Sequence, residues 1–117
     1  MLLRIKKIIF CCSLLATPLH AADILKTDAL LKNKQYALAE KGYLEAAKLG
    51  NPYAYYQLGT MKSKGLAGER DMLSSLSYYS LAADYKFQNA EKLVNNMLER
   101  ASSAQREILT QLINDFK

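Results

Sequence analysis

The chain has 117 residues, with 16 Lys+Arg against 11 Asp+Glu, two Cys, one His, no Trp and a formal net charge of +5. That length leaves room for one small domain. Both cysteines and the histidine fall in the first 20 residues (Cys11, Cys12, His20), so the rest of the chain has no thiol or imidazole for catalysis or zinc.

Those first residues read as a targeting segment. Met1–Lys7 carries Arg4, Lys6 and Lys7 and no acid, Ile8–Leu19 is apolar, and His20-Ala21-Ala22 follows. A charged start, an apolar stretch and small residues are the layout of a secretory signal. The apolar stretch is too short to span a bilayer, which takes about 20 residues, and it contains Pro18. Cleavage is expected after Ala21 or Ala22, giving a signal peptide over 1–21 and a single domain over 22–117. Two rivals are an uncleaved anchor and lipoprotein processing, but Cys11 and Cys12 sit too early and follow the bulky Phe10. Removal takes three of the 16 bases and leaves 13 against 11 acids, so the basic balance is no nucleic-acid footprint. The mature chain then needs no oxidative folding.

The remainder reads as helices near Asp23–Asn33, Gln35–Leu49, Pro52–Lys64, Asp71–Tyr85, Asn89–Arg100 and Ser103–Phe116. Gly50-Asn51-Pro52 is a stop and restart: Gly50 suits the C′ position, Asn51 the N-cap and Pro52 the first turn. Gly65 and Gly68 end the next helix, and Asp71 caps the one after. Ser102 with Gln105 has capping-box spacing. The last helix carries an apolar stripe of Ile108, Leu109, Leu112, Ile113 and Phe116, with Glu107, Thr110, Gln111 and Asn114 on its other side, as a terminal capping unit requires.

A segment also recurs. Tyr43 returns as Tyr79, Ala46-Ala47 as Ala82-Ala83, Ala54 as Ala90 and Met61 as Met97, each at the same step of 36 residues (43 to 79, 54 to 90). A fixed period of about 20–50 residues marks stacked units that cannot bury their apolar faces alone. Paired alanines let helix backbones approach closely, and Tyr43 and Tyr79 lie on the same helix face as their pairs.

From Ala54 the chain runs Ala54-Tyr55-Tyr56-Gln57-Leu58-Gly59, then Gly65, Gly68, Asp71, Tyr78-Tyr79, Ala82-Ala83 and Ala90. This resembles the Sel-one-like repeat, a relative of the tetratricopeptide repeat, with its A-x-Y-x-L-G, Gly-rich loop, Asp, paired aromatic, Ala-Ala, Gly and closing Ala. The best unit is 54–90. A half-unit over 35–53 matches through Tyr36, Ala39, Tyr43, Ala46-Ala47 and Gly50, and capping helices follow over 89–117. Lys62, Ala67, Ser75 and Lys86 depart from the pattern. Lys86 stands where the family has Gly, and a Cβ resists the left-handed cap. The resemblance implies an all-α fold, a short α/α solenoid of antiparallel helix hairpins.

It also implies a site. In tetratricopeptide-type hairpins the first helix of each unit lines the concave face. Matching Leu58-Gly59 to the family places Tyr53, Tyr56, Thr60, Ser63 and Lys64 on that groove, and one period adds Asn89, Lys92, Asn96, Glu99 and Arg100. These polar side chains with aromatic anchors suit a protein or peptide. The competing reading is that Tyr56 is buried and the others are a solvated face. No catalytic, cofactor or metal residues are expected: Gly65-Leu66-Ala67-Gly68 lacks the Lys-Ser/Thr of a phosphate loop, and Glu69 and Asp71 read as loop and cap. The expected protein is an exported, non-catalytic interaction module of the bacterial periplasm or exterior that binds a protein or peptide, with no nucleic acid and no membrane insertion after cleavage. Alternatives are an immunity or inhibitor protein against a toxic effector, and a membrane-anchored envelope component.

Overall fold

Helix ends in this chain are written by short-range chemistry, and they fall where the caps put them. The computed structural model describes residues 23–117; the signal layout over 1–22 lies outside the described residues. Residues 23–32 form α1. It is followed by α2 (Tyr36–Lys48), α3 (Pro52–Lys64), α4 (Met72–Asp84), α5 (Ala90–Glu99) and α6 (Ser103–Phe116). Among the described residues every regular element is a helix.

The start of α3 has Asn51 accepting from the backbone N–H groups of Tyr53 and Ala54, with Pro52 in the first turn. Asp71 accepts from the N–H of Ser74 to open α4, and Ser102 and Gln105 bond reciprocally to open α6. These satisfy donors that no intrahelical carbonyl can reach. The end of α2 is a Schellman turn. Asn51 N–H reaches back to the Ala46 carbonyl and Gly50 N–H to that of Ala47, with Gly50 at φ 78°. One period on, the end of α4 repeats it: Phe87 N–H bonds the Ala82 carbonyl and Lys86 N–H that of Ala83. Lys86 takes the left-handed conformation there, at φ 56°, although it carries a Cβ.

Each helix from α2 onward packs on its neighbour in the chain, and α6 rests on α4 and α5. The core runs through Ala39, Tyr43, Ala47, Ala54, Leu58 and Met61, with Ile24, Leu30 and Leu31 of α1 against it. Between α3 and α4 the spacing is set by Gly59. A Cβ there would lie 2.7 Å from the Tyr79 ring, so Tyr79 lies directly on the α3 backbone. Beside it Ser75 donates to the Gly59 carbonyl at 2.7 Å. That bond joins two helices through a buried polar group with its partner in place.

The end helix departs from expectation. Of its apolar stripe only Ile113 is buried, while Ile108, Leu112 and Phe116 are 60%, 40% and 45% exposed. Two neighbouring helices cover a narrower band than the sequence pattern offers. Phe116 still meets Tyr78 edge-on at 5.2 Å, and Lys117 pairs with Asp84 at 2.8 Å.

Candidate functional site

Helix α3 carries Tyr53, Tyr56 and Thr60, spaced three and four residues apart and therefore on one helix face. Tyr53 is half-buried. Its hydroxyl donates to Asp28 of α1 at 2.9 Å and accepts from the Gln57 amide at 2.8 Å. The Tyr43 hydroxyl donates to the same Asp28 oxygen. One carboxylate thus ties α1 to α2 and α3. Burial, and then the neighbouring Asp28, pushes the Tyr43 phenol well above its ordinary range. Burial is also the main cause of the upward shift at Tyr53, with Gln57 opposing it and Asp28 adding to it.

From that carboxylate an aromatic row crosses the molecule. Tyr43 meets Tyr53 edge-on at 6.3 Å, and Phe87 of the α4–α5 turn meets Tyr53 at 6.1 Å and Tyr56 at 5.6 Å. Tyr56 meets Tyr79 at 5.4 Å. All four pairs have the tilted, edge-on geometry that ring quadrupoles favour. Polar tips complete the row. The Tyr56 hydroxyl donates to Asn89 at 3.0 Å, Thr60 and Tyr79 share a hydrogen bond at 2.9 Å, and Thr60 also donates to the Tyr56 carbonyl.

Of the ten expected surface residues, the structure brings Tyr53, Tyr56, Thr60 and Asn89 into this single network. Ser63 is close by in the chain and donates to the Thr60 carbonyl at 2.9 Å. Lys64 is exposed at the other end of α3. Lys92, Asn96, Glu99 and Arg100 are exposed on and just after α5, the first three on one face by their spacing. Lys64, Lys92, Glu99 and Arg100 make no ion pair with any described residue. The result is a half-buried aromatic floor with free charges and amides beyond it. Such a surface can accept hydrogen bonds and flat apolar groups.

Asp28, Gln57 and Phe87 belong to the row but not to the expected set. For Phe87 a signal existed. It stands 36 residues after Asn51, so an apolar ring follows at the step from which Asn51 caps α3. The N-cap of α5 is Asn89, whose side chain accepts from the Tyr56 hydroxyl and makes no cap bond.

A cavity of about 830 Å³ opens between α1 and α2 and reaches Asn51 and Pro52 at the start of α3. Ile24, Leu30, Leu38, Ala46 and Leu49 line it, with Lys26, Lys41, Asp23 and Glu45 around them. Among the described residues no group of three or more His, Cys, Asp or Glu is placed to hold a metal ion, and no helix is long and apolar enough to cross a membrane. Comparison with family profiles, with curated proteins and with solved structures returned no match.

Proposed function

We propose that the helices form a short solenoid of antiparallel hairpins of the Sel-one-like type, and that its concave side binds a partner protein or peptide without catalysis. The site runs from Tyr53 and Tyr56 to Lys92, Asn96, Glu99 and Arg100. The protein acts in the periplasm or outside the cell after losing residues 1–21. The observation that carries the reading is the doubled helix end. The Schellman turn at Ala46, Ala47, Gly50 and Asn51 recurs bond for bond at Ala82, Ala83, Lys86 and Phe87, one 36-residue step later. A repeated backbone turn at a fixed step supports stacked units, and stacked helical units offer extended concave surfaces to partners. Short connections between successive helices favour antiparallel neighbours.

The test is partner capture from the cell envelope with the exported protein, comparing two sets of exposed residues. Changing Lys92, Asn96 or Arg100 to Ala is expected to weaken capture by more than about 1 kcal/mol where the residue is an interface anchor. Changing Lys41 or Lys48 on α2 should matter by about 0–1 kcal/mol and less at high salt. Loss confined to the Lys41 and Lys48 variants, with a steep salt dependence, rejects the concave side. N-terminal sequencing of the exported form is expected to begin near Ala22, and intact Met1–Lys7 on a membrane-bound product rejects the cleavage.

A further inference from the structure

The turn between α4 and α5 breaks three local rules at once, and all three breaks surround Phe87. Lys86 and Gln88, on either side of it, both have left-handed backbones, at φ 56° and 44°. Neither is Gly, the residue that takes this conformation without steric cost. At the equivalent turn one period earlier the left-handed residue is Gly50, and the next residue is Asn51, which caps α3. Here Phe87 stands at the position of Asn51, and α5 starts two residues later behind Asn89, whose side chain makes no cap bond and instead accepts from the Tyr56 hydroxyl. Departures from local preference that a structure maintains collect where they serve a purpose. What they achieve here is visible: the Phe87 ring is turned back onto α3, edge-on to both Tyr53 and Tyr56.

We propose that Phe87 is a built-in occupant of the Tyr53–Tyr56 seat, and that the protein binds an aromatic side chain of its partner by exchanging it for Phe87. The proposal rests on the concave-side reading and names the partner's chemistry: a segment presenting Phe, Tyr or Trp. The seat's fitness for such a ring needs no assumption, because a phenyl ring fills it in this structure. Tyr56 and Asn89 stay bonded to each other beside it and give the seat a polar rim. Release of Phe87 lets Lys86 and Gln88 relax to ordinary backbone angles, which offsets part of the packing lost. The free protein therefore keeps its aromatic floor covered, and only a ligand with a competing ring uncovers it.

The experiment labels the full chain with 4-fluorophenylalanine and follows the Phe87 fluorine by NMR, assigned with Phe87→Leu. The probe is acetyl-Gly-Phe-Gly-amide, with acetyl-Gly-Leu-Gly-amide as its control. The Phe peptide is expected to move the Phe87 resonance toward the solvent-exposed frequency while Phe116 stays put, and the Leu peptide to move neither. Phe87→Ala should still melt cooperatively and bind the Phe peptide about tenfold more tightly, since a competing internal state lowers apparent affinity. Lys86→Gly removes the strain that favours release, so it should weaken binding about fivefold. A Phe87 resonance unmoved at saturating peptide overturns the exchange. So does a Phe87→Ala chain that has lost cooperative melting, or one that binds the peptide no better than the parent. Absence of peptide binding to both chains rejects the aromatic seat. Partner capture that ignores Lys92, Asn96 and Arg100 while Phe87 still exchanges would instead sink the concave-side reading alone.

Discussion

A phenol held against a carboxylate in a packed interior gives up its proton reluctantly, and Tyr43 is in that position. Its ring is fully buried, its hydroxyl donates to Asp28, and its pKa is raised above the ordinary 10.0. Tyr53, Tyr55 and Tyr78 shift in the same direction, with burial the first cause in each. A group whose folded pKa lies above its unfolded one adds stability that is complete below the unfolded value and is lost as pH rises past it. The melting temperature is therefore expected to hold up to about pH 10, the ordinary tyrosine value, and to fall above it. Tyr43→Phe should lower stability at neutral pH, because Asp28 loses a donor, yet flatten the alkaline fall. Thermal melts across that range check both, and an unchanged slope counts against Tyr43 as a main source. Asp28→Ala removes the acceptor of two half-hidden hydroxyls and is expected to cost about 1–3 kcal/mol. Tyr79→Ala should cost about 3–5 kcal/mol, as for other core aromatics, since its ring fills the space that Gly59 leaves open.

Helices in this chain begin and end through contacts within a few residues, which is why their limits were legible in the sequence. Asn51, Pro52, Asp71 and the Ser102–Gln105 pair all act where they were expected to. Gly65 also ends α3 in the left-handed conformation. The turn at Lys86 was foreseen as a difficulty. The structure resolves it by accepting the left-handed backbone, as it also does at Lys34 after α1. Two predictions follow the same logic at the two equivalent turns. Gly50→Ala forces a Cβ into a left-handed residue and should destabilise by about 1 kcal/mol. Lys86→Gly should stabilise by a similar amount, about 1 kcal/mol. Asn51→Ala strips the α3 cap and should cost about 0.5–2 kcal/mol. Chemical denaturation of the three variants measures all of these, and Lys86→Gly melting below the parent would show that the turn is not strained. What no helix-level pattern could reveal is where Phe87 goes. Its partners Tyr53 and Tyr56 lie a full helix away in the chain, so the contact exists only once α3 and α4 have packed.

At the scale of the whole molecule, the arrangement of contacts predicts how it comes apart. Helices α2, α3 and α4 share the buried centre, whereas α6 is held at the edge by Ile113, the Phe116–Tyr78 contact and the Lys117–Asp84 pair. The succession of helices was legible in the sequence, but not how much of the last helix its neighbours would cover. A stripe of five apolar residues has the same appearance in sequence whether one side or two are occupied. Ile113→Ala is expected to cost about 2–5 kcal/mol, as buried Ile-to-Ala changes do, and Ile108→Ser no more than about 0.5 kcal/mol. Because each helix from α2 onward touches mainly its neighbours, the Ile113 loss should stay local. Amide hydrogen exchange is then expected to quicken along α6 and α5 and to leave the α3 amides around Leu58 protected. Leu58→Ala, at the centre, should quicken all helices together. If Ile113→Ala instead raised exchange evenly from α2 to α6, the chain would be one cooperative core, which counts against the proposed stack of units.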